Sequence, residues 1–467
     1  MLVKVLLVIL LFLCSFNVHA QTMAERLDAL LNEELLKTSE AGITVFDLTT
    51  GESVYRYQDE KLYRPASTLK IITSVTALAR LGEGYTLDTH LLHSGKIEND
   101  TLKGNLYLKG GMDPLFMEEH MDSLVSAVVQ SGIRCITDTL VADVSMMDSI
   151  YWGPGWSWDD APYAFQPYLS PLMLNGGCVD ITVLPTEKDS LPVIECSPAS
   201  MFYQITNLAV SHQEQAGKLK ITRNWAEHEN TFVIYGNVQR KTSSSLSIYP
   251  SQEHFLRIFI ERLQKQGVSI GTVAYSDKKE SGDGLVTCFT IRRPLKAVLQ
   301  EALKESNNLC AESLFFHLAR QSSEEIPLDF EIGTESVNGF MEKELGFNPS
   351  NYRIADGSGI SLYNYVSPRL LLEYLKYAYY HRDVFLPFYD ALPIAGIDGT
   401  LKYRMKNTSA CRNVRAKTGS VTGVSSLAGY VKAKNGHLLA FVIINQNVMK
   451  LKLARDFQDK IGVILSQ

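Results

Sequence analysis

The sequence predicts an α+β protein whose main domain is assembled from both ends of the chain around an interruption of roughly 200 residues. Three observations lead there. Apolar residues recur at helical spacing near each end of the chain. Between about residues 88 and 290 the helical pattern gives way to short strand-like runs. Three short polar motifs, Ser67-Thr68-Leu69-Lys70, Ser306-Asn307-Asn308 and Lys417-Thr418-Gly419, straddle that interruption.

The chain opens with Lys4 and an unbroken apolar run from Val5 to Leu13, followed by small residues at Val18 and Ala20. This is the pattern of a signal peptide cut before Gln21. The run is too short to span a bilayer, and Leu13 ahead of Cys14 does not suit a lipoprotein site. No later stretch reaches transmembrane length, so the sequence predicts export without a stable membrane span.

Residues 23 to 37 read as a helix, with Leu27, Leu30, Leu31, Leu35 and Leu36 on one stripe. Ile43–Asp47 and Ser53–Tyr57 read as a hairpin closed through Thr50-Gly51. Pro65 leads into a helix over 67 to 81 that stops at Gly82. Strands are expected at Leu102–Leu108 and Leu140–Val144, then a Trp/Pro/Gly-rich stretch at 151 to 162. Short β segments at 179–184, 219–222, 231–235 and 244–249 suggest a small all-β unit over 178–250. A helix at 251–267 follows, and an amphipathic helix from Leu295 to Leu303 runs into Ser306. Strands at 411–419, 425–432 and 437–445 place Lys417-Thr418-Gly419 on an edge strand. Leu453, Phe457, Ile461 and Leu465 mark a final helix, whose weakly basic polar face favours packing on a core over lying on a membrane. The expected organisation is a signal segment at 1–20, a main domain at 21–87 and 291–467, an insert at 88–177 and 251–290, and the small β unit at 178–250.

Composition limits the function. The 467 residues are 45% hydrophobic and 21% charged, with a mean hydropathy of -0.03, as in soluble globular proteins. A net charge of -6 and pI near 6.0 give no basic face for nucleic acid. The histidines and cysteines form no metal-binding spacing, and no cofactor motif is present. Six cysteines follow the signal segment, permitting disulfides in an oxidising compartment; Cys178 and Cys196 are nearest in sequence and are the first pair to test.

Each polar motif alone also fits an ordinary helix start, cap or strand end. An S-x-x-K recurs at Ser276–Lys279 and an S-x-N at Ser15–Asn17. Together, and in order, they carry chemistry. Ser67 and Lys70 at i and i+3 reach one side of a first helical turn, where a desolvated lysine is able to deprotonate a serine. Lys417 supplies a second cation to hold the first lysine's pKa down. Ser306 and Asn308 offer a proton relay and an amide grip. Thr418 adds a hydroxyl, and Gly419 lets backbone come close. That set suits a substrate ending in a free carboxylate.

These motifs resemble those of the low-molecular-mass class C penicillin-binding proteins, the D-alanyl-D-alanine carboxypeptidases and endopeptidases. Further matches are Gly104–Leu108 with Gly111–Pro114, Gly155–Asp160, Asp356–Ser361, Ala395–Leu401 and Ala416–Ser420. The resemblance covers nearly the whole chain after the signal segment. It implies an α/β sandwich: a penicillin-binding, β-lactamase-like transpeptidase domain with an antiparallel sheet flanked by helices, interrupted by a mostly β insertion of two subdomains. It implies Ser67 as nucleophile, Lys70 as general base, Ser306 as proton carrier to the leaving nitrogen and Asn308 as a grip on the substrate backbone. Lys417, Thr418 and Ser420 would bind the terminal carboxylate, with Gly419 beside them, and the Ser67 and Ser420 amides would form the oxyanion hole. Asp160 matches an acidic position that receives the amino end of a diaminopimelate side chain; Phe165 is a weaker match. The chain departs from the family at Gly176-Gly177, where relatives often carry a second asparagine.

The implied partners are peptidoglycan stem peptides, with β-lactams as inhibitors, in the periplasm. Two other functions use the same motifs: a serine β-lactamase or esterase, and an inactive wall-binding homologue. The long insertion argues against the first, and the presence of Ser67, Lys70 and Lys417 against the second. Carboxypeptidase and endopeptidase share this chemistry and are not separable from sequence.

Overall fold

A computed structural model describes residues 21–276, 284–324 and 326–467. Residues 1–20, where a signal segment is expected, and Lys279 of the second S-x-x-K lie outside the described residues.

Helix α1 (Met23–Leu30) starts on a reciprocal cap between Thr22 and Glu25. The expected helix to residue 37 breaks after Leu30. A turn intervenes, and a single 3-10 turn over Glu34–Lys37 returns Leu35 and Leu36 to the same apolar cluster as Leu27. Strands β1 (Glu40–Asp47) and β2 (Glu52–Tyr57) form the expected hairpin. Ser67 does not begin an α-helix: Ala66–Leu69 is a 3-10 turn, and α2 (Lys70–Leu81) continues from it.

The chain then builds a seven-stranded mixed sheet from β3 (Thr86–His93), β4 (Lys96–Glu98), β5 (Thr101–Lys103), β6 (Leu106–Lys109), β7 (Cys135–Asp143) and two later strands. The strand expected at 102–108 is split. Gly104 sits at φ +154 with Ser94 O only 2.2 Å from where a Cβ would stand, so backbone crossing there ends β5 and starts β6. Helix α3 (Glu118–Gln130) covers this sheet.

The segment after the tryptophan-rich loop contains two three-stranded sheets. Their strands are β8 (Cys178–Leu184), β9 (Val193–Ser197), β10 (Gln204–Ser211), β11 (Lys220–Arg223), β12 (Thr231–Val238) and β13 (Thr242–Ser247), in the orders β10-β12-β11 and β13-β8-β9. They share a compact core around Val179, Ile181, Phe232, Ile234 and Leu246. Cys178 and Cys196 sit on adjacent strands but out of register, since Cys196 pairs with Ile181. All six described cysteines are free thiols, and burial pushes the Cys178 thiol up to about 12. Helix α4 (Ser251–Lys265) then returns the chain to the mixed sheet, which β14 (Ser269–Ser276) and β15 (Val286–Pro294) complete.

The last third is helical and closes on the first hairpin. Helices α5 (Leu295–Gln300), α6 (Asn308–Ser322), α7 (Phe330–Leu345), α8 (Pro368–Tyr380) and α9 (Arg382–Ala391) pack with α2 in one apolar core. Strands β16 (Arg415–Val421), β17 (Val424–Lys432) and β18 (Leu438–Gln446) pair antiparallel with one another and with β1, giving the order β16-β17-β18-β1-β2. Residues 411–413, expected in strand, are turn; Arg412 has φ +64. Helix α10 (Leu451–Leu465) buries Ala454, Phe457, Ile461 and Leu465 against the sheet face that also receives α1. The five-stranded antiparallel sheet is therefore covered by helices on both faces, an α/β sandwich.

Candidate active site

The site forms where the start of α2, the entry to α6 and the edge strand β16 meet. Pro65 sets the approach, and Ala66 adopts φ +49, a left-handed conformation uncommon for a residue with a side chain. Gly359 allows this turn, because a Cβ there would lie 2.0 Å from Ala66 O. The Pro65 carbonyl is fixed by two hydroxyls, Thr68 Oγ1 at 2.7 Å and Ser426 Oγ at 2.6 Å. Ser67 is left half-buried at the surface of the turn.

One turn later Lys70 is fully buried. Its Nζ donates to Ser67 Oγ at 3.0 Å, Asn308 Oδ1 at 2.7 Å and Ser358 O at 2.8 Å. Three acceptors match the three protons of an ammonium. Burial nevertheless lowers its pKa to about 8, against the opposing pull of the Glu312 and Asp356 carboxylates. Loss of one proton leaves a lone pair within reach of the Ser67 hydroxyl, the arrangement a general base requires.

The helix expected to run into Ser306 ends in a single π-turn over Glu301–Glu305, a distortion frequent at functional sites. Ser306 then takes φ +64, and Asn307 caps α6 by accepting the Cys310 amide at 3.1 Å. Asn308 becomes the first residue of that helix, with Oδ1 on Lys70 and Nδ2 donating to Phe165 O at 2.7 Å.

Strand β16 contributes Lys417, fully buried, whose Nζ donates to Ser306 Oγ at 2.8 Å and Thr418 O at 2.7 Å. Burial and the neighbouring Lys70 push its pKa well down. The expected second cation therefore acts the other way round: Lys70 disfavours the charge of Lys417, while Lys70 itself is held down by burial. Gly419 lies against the turn that carries Ser67: a Cβ there would be 2.9 Å from Ser67 N and from Pro65 O. Strand alternation turns Thr418 and Ser420 away from the side used by Lys417 and Gly419. Thr418 Oγ1 donates to Thr400 Oγ1 at 2.7 Å, and the exposed Ser420 hydroxyl accepts from Arg455 at 3.4 Å.

Thus the structure brings Ser67, Lys70 and Asn308 into one hydrogen-bonded group and Ser306 with Lys417 into a second, with Gly419 at their seam. Asp160 stands apart. It ends a 3-10 turn over Trp158–Asp160, and burial together with Asp159 raises its carboxyl pKa. Among the described residues its carboxylate makes no hydrogen bond to these groups. Phe165 takes part only through its backbone carbonyl, its ring stacking on Tyr163 at 5.7 Å.

Several functional positions were not singled out from sequence. Glu312, buried on α6, accepts the Gly357 amide at 2.9 Å and the Ser358 amide at 2.8 Å, fixing the carbonyl that holds Lys70. Burial and Asp356 raise its carboxyl pKa, while the Ser358 side chain, the Gly357 amide and Lys70 oppose the rise. Asp356 is gripped by Gly359 N, Ser361 N, Asn364 Nδ2 and the Trp156 indole at 2.7–3.0 Å. The Asp356–Ser361 match was the signal available for this loop; nothing in the sequence marked Glu312. Thr400 lies in the Ala395–Leu401 match, in a turn pinned by Lys304 to Asp398 at 2.8 Å.

The sequence model of the D-Ala-D-Ala carboxypeptidase 3 (S13) family matches residues 23–467. The D-alanyl-D-alanine carboxypeptidase DacB of Haemophilus influenzae is 29% identical over 441 residues, covering 92% of this chain and 90% of that one. A D-alanyl-D-alanine carboxypeptidase of Actinomadura sp. (strain R39) is 27% identical over 463 residues, covering 95% and 84%. The crystal structure of penicillin binding protein 4 (dacB) from Haemophilus influenzae superposes with a TM-score of 0.82 at 26% identity, covering 93% of this chain and 97% of that one.

Proposed function

Because the chain belongs to the D-Ala-D-Ala carboxypeptidase 3 (S13) family, we propose that Ser67 is the nucleophile of its D,D-peptidase reaction and Lys70 the base. The enzyme cleaves the terminal D-Ala-D-Ala bond of peptidoglycan stems, D-Ala–diamino acid cross-links, or both. The observation that carries the assignment is the fully buried Lys70 amine 3.0 Å from a half-exposed serine hydroxyl.

In the free site the pair of lysines holds fewer than two protons with ease. A substrate's terminal carboxylate, arriving beside β16, stabilises the ammonium form of Lys417 and leaves Lys70 as the group that stays neutral. Lys70 takes the Ser67 proton as Oγ attacks the penultimate D-Ala carbonyl carbon. The tetrahedral oxygen is received by the Ser67 and Ser420 amides, which Gly419 allows to approach. Ser306, hydrogen-bonded to Lys417, delivers a proton to the departing amino group. The proton taken by Lys70 replaces the one Ser306 has given up, so Lys70 is neutral again; it then takes a proton from the water that attacks the acyl-serine carbonyl and returns it to Ser67 Oγ as the acyl bond breaks. Asn308 both orients Lys70 and holds the substrate backbone. Asp160, on the loop that Phe165 ties to Asn308, is the residue we assign to the amino end of the side chain preceding the scissile D-Ala, on the family resemblance.

We place this chemistry in the periplasm, on the signal-like segment at 1–20; no helix among the described residues is long and apolar enough to cross a membrane. A β-lactam, which mimics the D-Ala-D-Ala end, acylates the same serine. Intact-mass analysis of the mature protein after incubation with benzylpenicillin tests the assignment. One covalent adduct is expected, absent from Ser67→Ala, together with loss of peptide cleavage. An adduct retained in Ser67→Ala sinks the assignment; drug destruction without an adduct indicates a β-lactamase instead.

A further inference from the structure

All four tryptophans of the chain gather at one cavity of about 420 Å³, between the loop after Tyr151 and the small β unit. Trp152, Trp156 and Trp158 come from the loop. Trp225 and His228 come from the short turn between β11 and β12. Trp158 is 73% exposed, yet its ring lies 4.8 Å from that of Trp225 at 43°. Behind them Trp152 packs on Tyr168 at 4.6 Å and on His228 at 5.7 Å, and His228 on Tyr249 at 4.8 Å. One indole left open to solvent and three only partly covered around a hollow are a binding surface rather than a core, which would have closed over them.

The polar part of the cavity is as specific as the apolar part. Gln166 is 1% exposed. Its Nε2 is used by Ser157 O at 2.8 Å, while its Oε1 has no partner. A buried acceptor left unpaired is costly unless a ligand donor completes it. No carboxylate, lysine or arginine lines the cavity, so a charged ligand finds no counter-ion. The ligand that fits is neutral, with an apolar face for indoles and hydroxyl or amide N–H donors for Gln166. A sugar ring has both.

We propose that this cavity is a saccharide subsite for an uncharged N-acetylamino sugar of the glycan strand from which the stem peptide hangs. This rests on the D,D-peptidase reading for its biological ligand, though not for binding itself. Gln166 follows Phe165, whose carbonyl accepts the Asn308 amide at 2.7 Å, so one segment of chain joins the cavity wall to the catalytic group. Four extended stem residues between sugar and scissile bond reach about 14 Å, the separation the proposal requires between the two. The small β unit thereby gains a role: it supplies Trp225 and His228, two of the five rings around the cavity.

The test has two independent readouts on the full mature enzyme. First, tryptophan fluorescence is followed on titration with the β-1,4-linked tetramer of N-acetylglucosamine, against a sugar-free stem pentapeptide. A saturable change with the tetramer, lost in Trp225→Ala, is expected. No tetramer response, or an equal response to the pentapeptide alone, overturns the subsite. Second, kcat/KM is compared on a disaccharide-linked pentapeptide and on the bare pentapeptide. The wild type should prefer the sugar-bearing substrate by about tenfold or more. Trp225→Ala should abolish the preference while leaving bare-peptide turnover and benzylpenicillin acylation unchanged. A preference that survives Trp225→Ala, or equal loss on both substrates, overturns the proposal. His228→Asn, which tolerates the left-handed backbone at that turn (φ +57), gives the same answer should the tryptophan variant not fold. An enzyme that binds the tetramer but cleaves neither substrate refutes the peptidase reading and leaves the subsite standing.

Discussion

Replacing Gly419 by alanine tests how closely strand β16 must lie on the turn that carries Ser67. The added Cβ would stand 2.2 Å from Ser426 Oγ and 2.9 Å from both Pro65 O and Ser67 N, where ordinary contact begins at 3.4 Å. The serine hydroxyl can rotate aside only by giving up its 2.6 Å bond to Pro65 O. The two backbone atoms cannot rotate at all, so β16 must retreat by about half an ångström. A misplacement of 1 Å costs about 10²-fold in rate, so half that distance predicts roughly a tenfold loss, more once the Pro65 carbonyl is left with Thr68 alone of its two hydroxyl donors. Overpacking of this kind costs about 1–3 kcal/mol of stability, which lowers the melting temperature without unfolding the protein. Stopped-flow acylation by a chromogenic β-lactam measures the rate, and circular dichroism checks the fold. A Gly419→Ala enzyme acylated within twofold of wild type refutes the argument that this contact aligns the site. The double variant with Ser426→Ala should recover only part of the loss; full recovery would place the effect in the hydroxyl rather than in the strand's retreat.

Two further tests concern the buried charges. Burial holds Lys70 at about 8, and the base acts when neutral, so acylation should rise about tenfold per pH unit below that value and level off above it; a rate constant that does not change between about pH 6 and 9 excludes Lys70 as the titrating base. In Glu312→Gln a carboxylate that favours the Lys70 ammonium is gone, and an amide N–H meets one of the Gly357 and Ser358 donors. The acidic limb of that pH profile should move to lower pH, with kcat reduced, KM little changed and about 1–3 kcal/mol of stability lost. An unmoved limb would mean that Glu312 only braces the loop.

Local order was the most legible part of the sequence. The hairpin at 40–57, the strands carrying Lys417 and the final helix follow from alternation and helical spacing, because each has one face that must be buried. Ser67, Lys70, Ser306 and Lys417 were legible as motifs and meet in space. What escaped was set by tertiary contact. Strand β10 was missed because most of its residues are exposed or only partly buried, leaving little apolar alternation to read. Gly104 ends a strand only because Ser94 crosses it. Glu312 looks like a polar residue on the wet side of α6. It is buried because the 356–361 loop folds onto it, and no local pattern records that. The helical start expected at Ser67 failed for a related reason: the turn there answers to Gly359 and Gly419, which lie hundreds of residues away.

The pairing of β1 with β18, Glu40 opposite Gln446, has a consequence for the order in which the molecule comes into being. During synthesis the first hairpin and the serine-bearing turn emerge early and have nothing to pair with. The seven-stranded sheet and the small β unit, each with its own core, are complete long before β18 exists. Pairing across so long a separation is slow to nucleate, but a middle already folded shortens the effective loop that must be closed. Lys417 and Gly419 join the serine only at this last step. On the proposed assignment, the newborn chain therefore carries an unarmed Ser67, and reactivity is switched on by the final strand locking into place.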